Sequence, residues 1–203
     1  MKKVIIFAVL ISVTFNLVCQ EKYIEITAQD CFSLLLPEDW TAIGKDELFR
    51  ISLNNPVMKK KSKVYSYGYE KMKSPGETAR AYPPSVLILI DNVARWPENK
   101  LKALQSIEEA RREYKTQNDE TVLLELFKKR KDFIIYDSKH QLIWGYMNIH
   151  DYGIETLTVL KLTKNGVIQL DFGCSQLHFE EYFPTFVKIS KSMTIDKTIS
   201  YQQ

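Results

Sequence analysis

Glycine is scarce here: seven in 203 residues, and none of them clustered into a loop that could cradle a phosphate. That excludes ordinary nucleotide chemistry. Histidine is scarcer still, with His140, His150 and His178 alone. Asp137 and the pair His150-Asp151 are the combinations that suggest metal ligation, but no two histidines stand at ligand spacing. No metal and no cofactor are expected. Cysteine is limited to Cys19, Cys31 and Cys174, too few and too dispersed for a disulfide scaffold or a metal motif. Strong net charge is missing too. The formal charge is +3, and Lys2 and Lys3 supply two of those charges in a segment without acids, which leaves +1 on residues 20–203. A near-neutral chain gives no reason to expect nucleic acid as partner. There is no internal repeat and no low-complexity tract.

What is present begins with an export signal. Lys2-Lys3 precedes an apolar run from Val4 to Val13, too short for a comfortable membrane span. The stretch Thr14 to Gln20 lacks the small-x-small pattern of a cleavage site. Cleavage between Cys19 and Gln20 is the favoured expectation for this signal peptide, residues 1–19. The alternative is acylation of Cys19, although Val18 stands where lipoproteins carry Gly, Ala or Ser. The expected location is periplasmic or secreted, or lipid-anchored in the cell envelope if Cys19 is acylated, and membrane contact is expected only in that case.

Length and an ordinary balance of 45% hydrophobic and 26% charged residues suit one domain, residues 20–196, with a polar tail at 197–203. Its centre lies between Phe133 and Phe172, read as consecutive strands of an antiparallel sheet. Phe133 to Asp137 and Leu142 to Met147 are β-branched and aromatic. Glu155 to Thr163 alternates, with one slip at Leu160 that suggests a bulge. Asn165-Gly166 reads as a two-residue hairpin turn needing positive φ at both positions. Val167 to Phe172 follows, with Ile168, Leu170 and Phe172 on one face.

Elsewhere, strands are expected at Tyr23 to Thr27, at Cys31 to Leu36 (stopped by Pro37, with Trp40 as anchor), at Leu48 to Leu53 and at Ser85 to Asp91. Leu101 to Lys115 reads as one helix with Asn99 as N-cap. A short second helix is expected within Thr121 to Lys131, and an amphipathic helix from Phe179 to Lys191 containing Pro184. Residues 57–84 read as a long excursion from the sheet. They carry Lys59, Lys60 and Lys61, then Tyr65, Tyr67 and Tyr69 at alternate positions that an extended chain would place on one face. These six residues form the expected binding surface.

No catalytic constellation stands out. Glu180-Glu181 are adjacent on a helix and point apart, where first-turn acids simply favour the helix dipole. Cys174 continues the apolar alternation of Leu170 and Phe172, which makes it a buried structural thiol. Cys31 shares a face with Ser33 and Leu35, opposite the apolar set of its strand. If the two apolar sets face the same side, the sulfurs point to opposite sides, and no disulfide is expected.

Three pieces together resemble the PsbP-like family, which includes the extrinsic PsbP subunit of the photosynthetic oxygen-evolving complex and many exported bacterial proteins. They are the strand-and-turn Phe32-Ser33-Leu34-Leu35-Leu36-Pro37-Glu38-Asp39-Trp40, the strands from Gly145 to Phe172, and the closing helix with Phe183, Phe186, Ile189 and Ser192-Met193-Thr194-Ile195. The resemblance implies an α+β fold, an α/β/α sandwich on a central, mostly antiparallel sheet of about six strands. It also implies a non-catalytic binding or assembly role, with another envelope protein as partner. The competing expectation is an envelope enzyme, such as a hydrolase, with its site beside residues 57–84. Converging titratable groups in a pocket would mark an enzyme, and an apolar or aromatic surface patch a binding module.

Overall fold

The computed structural model describes residues 21–28, 32–72, 82–129, 132–146 and 153–195, the side chain of Lys61 excepted. Along the chain come strands β1 (Tyr23–Ala28), β2 (Phe32–Pro37) and β3 (Trp40–Ala42), helices α1 (Lys45–Asn54) and α2 (Pro56–Lys61), then β4 (Tyr67–Lys71) and β5 (Ser85–Asp91). Next are α3 (Glu98–Lys102), the short β6 (Gln105–Ser106), α4 (Ile107–Glu113) and α5 (Asp119–Lys128). The chain continues through β7 (Phe133–Asp137), β8 (Leu142–Tyr146), β9 (Ile154–Leu162), β10 (Val167–Ser175), α6 (Phe179–Ser192) and β11 (Thr194–Ile195).

Eight strands form the main sheet in the order β3-β4-β5-β10-β9-β8-β7-β6, more than the six expected. Every pairing is antiparallel except β6 with β7. A small sheet, β1-β2-β11, stands apart from it. The fold is α+β, as expected. The added strands are β3 and β6, too short to read from periodicity, and β4, which lies inside the supposed excursion.

The β9–β10 hairpin pairs without interruption from Leu162↔Val167 to Ile154↔Ser175, so the expected bulge is absent. Leu157 and Val159 are fully buried on the inner face, while Leu160 lies on the outer one. The slip in period therefore marks a strand that is apolar on both faces. The turn also differs. Asn165 does not have positive φ, and a four-residue loop is held by the Thr163 N–H donating to the Gly166 carbonyl at 3.0 Å. Gly166 is needed for close approach, because a Cβ there would sit 2.2 Å from the Asp91 carbonyl oxygen.

Leu48 to Leu53 is helix, not strand. Six residues with apolar positions at 48, 49, 51 and 53 satisfy either period, and the flanks decide. Asp46 and Glu47 occupy the first turn, Glu47 pairs with Arg50 at 2.6 Å, and Leu48 and Ser52 are buried one turn apart. Asn55 then caps α2, accepting from the Val57 and Met58 N–H groups with Pro56 in the first turn. The expected helix over Leu101 to Lys115 is broken as well. Gln105 and Ser106 pair with β7, and Ser106 opens α4 with a capping box to Glu109; Pro97, not Asn99, is the N-cap of α3. The expected helices α5 and α6 are present, the latter unbroken through Pro184.

The inner face of the sheet packs against α4, α5, α6 and the small sheet in one apolar core, with Phe127, Phe172, Phe179, Phe183 and Phe186 in mutual ring contact. Trp40 anchors its edge against Phe186. A second, smaller core lies on the outer face, where Leu48, Met58 and Tyr65 cover Leu89. Helices thus lie on both faces, but α1 and α2 cover only the β4–β5 half of the outer one.

Candidate functional site on the outer sheet face

Where the outer helix layer ends, the strands continue. Cross-strand pairing places Ile134 of β7, Gly145 of β8 and Thr158 of β9 in one row, with Ile143 and Leu160 paired in the next. Gly145 has no side chain and forms a low floor between its neighbours. Trp96, from the loop after β5, stands at the side, and Thr156 and Thr158 add hydroxyls. The result is an apolar groove of about 230 Å³. Ile134 is 53% exposed within it, although it sits mid-strand. None of the groove's lining groups titrates.

Between groove and helix layer runs a polar seam on β9 and β10. The Asp171 carboxylate accepts from Thr158 Oγ1 at 2.7 Å, from Gln169 Nε2 at 2.7 Å and from the Tyr65 hydroxyl at 2.8 Å. Tyr65 is buried, and its phenol is pushed far above its ordinary range, first by desolvation and then by the Asp171 charge.

This placement corrects the expectation for the three tyrosines. They do not share a face. Tyr65 precedes β4 and points outward to Asp171, whereas Tyr67 and Tyr69 are half-buried strand residues packed on the inner core, Tyr67 edge-on to Phe32 at 5.7 Å. Residues 67–71 are sheet, so the segment 57–84 is not one excursion. Lys59 and Lys60 are exposed on α2, and Lys61 is its last residue. The charged groups beside β4 are paired off. Lys63 bonds Asp91 and holds its carboxyl below the usual range, and Lys71 donates to the Tyr182 hydroxyl at 2.7 Å with Asp39 3.7 Å away.

Of the histidines, His178 is exposed and 3.4 Å from Glu181, while His150 and Asp151 lie outside the described residues. His140 bonds Asp137 through Nδ1 at 2.7 Å, and sequence reasoning missed that α5 brings Asp119 to the same place. The ligand atoms of all three lie within 4.8 Å of one another. Asp119 is already engaged by Lys191 at 2.6 Å and Arg111 at 3.2 Å. Two cationic side chains already neutralise Asp119, although its Oδ1 accepts no hydrogen bond, so its present chemistry is that of a charge network.

Cys174 is a buried free thiol pushed up to about 12, by desolvation first and by the nearby Glu155 and Glu181 charges after it. Cys19 and Cys31 lie outside the described residues. Glu180 and Glu181 are both exposed in the first turn of α6. A surface hollow at α4, lined by Glu108, Arg111, Arg112, Lys115, Thr116 and Gln117, carries mostly positive charge.

The groove residues were individually visible in the sequence but carried no functional mark there. Trp96 reads as part of a strand-breaking turn, Ile134 as one of three apolar residues in a row, and Leu160 as a slip in period. Only the extent of the outer helix layer makes them neighbours on an open face.

No family model matches the chain, and no curated protein matches it. Among solved structures it is similar to cyanobacterial PsbP (CyanoP) from Synechocystis sp. PCC 6803, at 10% identity over 86% of this chain and 93% of that one, with a TM-score of 0.44. At that identity and TM-score no residue role and no function is carried across.

Proposed function

We propose that this chain is an exported, non-catalytic binding or assembly module whose docking surface is the open half of the outer sheet face. The observation that carries the reading is the groove itself: Trp96, Ile134, Ile143 and Leu160 converge on a glycine floor, and none of the groups around it titrates. A site for acid–base or nucleophilic chemistry needs the opposite composition. An apolar groove edged by hydroxyls suits an apolar side chain presented by another envelope protein. Export rests on Lys2-Lys3 and the apolar run behind it.

Gly145→Val tests this with little disturbance to the fold. A Cβ at that position meets only the Thr158 carbonyl oxygen, at an ordinary 3.7 Å, and valine suits a strand. The variant fills the groove from below, while Ile134→Asp makes its exposed rim charged. Used as baits in an envelope pull-down, both should lose a partner that the unaltered chain retains. Identical captured proteins for all three baits would remove the groove from the function.

A further inference from the structure

A second surface, separate from the groove, lies on the far side of the outer helix layer. Helix α1 turns Leu48 and Ser52 toward the small core, and α2 turns Met58 the same way. Their outward sides should then be polar, as on an ordinary surface helix. Instead Phe49 and Leu53, one turn apart on α1, are 52% and 48% exposed, and Val57 at the start of α2 is 59% exposed. Basic residues surround them. Between residues 45 and 63 stand six lysine or arginine residues and two acids, Asp46 and Glu47, the latter held by Arg50. Lys45, Lys59 and Lys60 are exposed, and no ion pair engages them among the described residues.

We propose that this α1–α2 corner docks on the surface of an anionic lipid bilayer. The composition separates lipid from protein. Protein interfaces concentrate energy in Trp, Tyr and Arg and are depleted in lysine, and the tyrosines of this region are turned into the fold. Exposed Phe, Leu and Val on helices flanked by lysines match the pattern of interfacial helices, whose apolar side enters the headgroup boundary while cations meet anionic lipid. Phe49, Leu53 and Val57 are each about half exposed or more on these two consecutive helices. The contact would add to a lipid on Cys19 and does not require one. No helix among the described residues is long and apolar enough to cross a membrane.

The test is sedimentation of the full chain with phosphatidylcholine vesicles, with and without phosphatidylglycerol. Three chains are compared: unaltered, Lys59→Ala/Lys60→Ala, and Phe49→Ser/Leu53→Ser, each checked for fold by circular dichroism. Lys2, Lys3 and the apolar run behind them contribute equally to all three, so differences report the corner. The unaltered chain should partition onto phosphatidylglycerol vesicles and leave them as salt is raised. The lysine variant should lose about tenfold or more in partitioning, with a comparable loss for the apolar variant. Gly145→Val should partition like the unaltered chain, which keeps this result independent of the groove. Equal partitioning of all three chains, or no dependence on phosphatidylglycerol, overturns the proposal. Capture of an envelope protein that requires Phe49 and Leu53, without vesicle binding, overturns it in favour of a protein contact.

Discussion

At the scale of single residues, burial sets the chemistry of this chain more than charge pairing does. Cys174 shows it best. Its thiol rises from an ordinary 9.0 to about 12 because the ionised form would sit in the apolar core near Glu155 and Glu181. Below the ordinary thiol range, folded and unfolded chains both keep the proton, and pH has no effect through this group. Above it, the unfolded chain releases a proton that the folded chain retains, so stability falls from about pH 9 toward about 12. About 1 kcal/mol should be lost by one unit above the lower limit. Tyr65 is raised in the same direction from 10.0 and continues the loss at higher pH. Thermal midpoints by circular dichroism should therefore decline on the alkaline side, and in Cys174→Ala the decline should begin about one unit later. A pH-independent midpoint across this window would contradict the burial. The position of this cysteine was legible from strand alternation. The outward turn of Tyr65 was not, because strand β4 begins two residues after it and the local alternation gives no sign of that boundary.

At the scale of elements, α6 and the strands β5, β7, β8 and β10 read correctly, while the run at Leu48 and the segment Leu101 to Lys115 did not. The fourteen residues of α6 declare their face through Phe179, Phe183, Phe186 and Val187. The six-residue run at Leu48 fits both periods, and its helical state depends on α1 packing over β4. Gly68 of β4 permits that packing, since a Cβ there would lie 2.6 Å from a Leu48 methyl. The segment Leu101 to Lys115 failed for a different reason. Its helical periodicity is real, but Gln105 and Ser106 are captured by the edge of β7, and the helix restarts from a cap. The Ser106 hydroxyl accepts from the Glu109 N–H at 3.1 Å, and the Glu109 carboxylate accepts from the Ser106 N–H at 2.9 Å, which holds that carboxyl below its usual range. Ser106→Ala should destabilise the protein by about 1 kcal/mol, a fall of roughly 2–4 °C in midpoint. In a continuous helix the same change would be neutral or stabilising, because alanine is the better helix former. The sign of the shift in a thermal melt separates the two arrangements.

At the scale of the whole molecule, two helix layers of unequal size divide the sheet into a covered and an open outer half, and both proposed surfaces follow from that inequality. The setting proposed for those surfaces rests on reading the N-terminus as an export signal. Intact-mass and peptide analysis of the protein recovered from cells should find Gln20 as first residue, or an acylated Cys19, and an intact Met1 in cytosolic protein would remove the export reading. The residues alone determined the class of fold, the central strands, the two main helices and the absence of a recognisable catalytic motif, because each depends on local periodicity or on residue types that chemistry requires. Tertiary structure decided the rest. Whether Leu48 to Leu53 is helix or strand, whether Tyr65 is anchor or core, and whether Ile134 and Leu160 are covered or open all depend on where α1 and α2 stop. That boundary is set by packing between residues as distant in sequence as Tyr65 and Asp171, which no local pattern records.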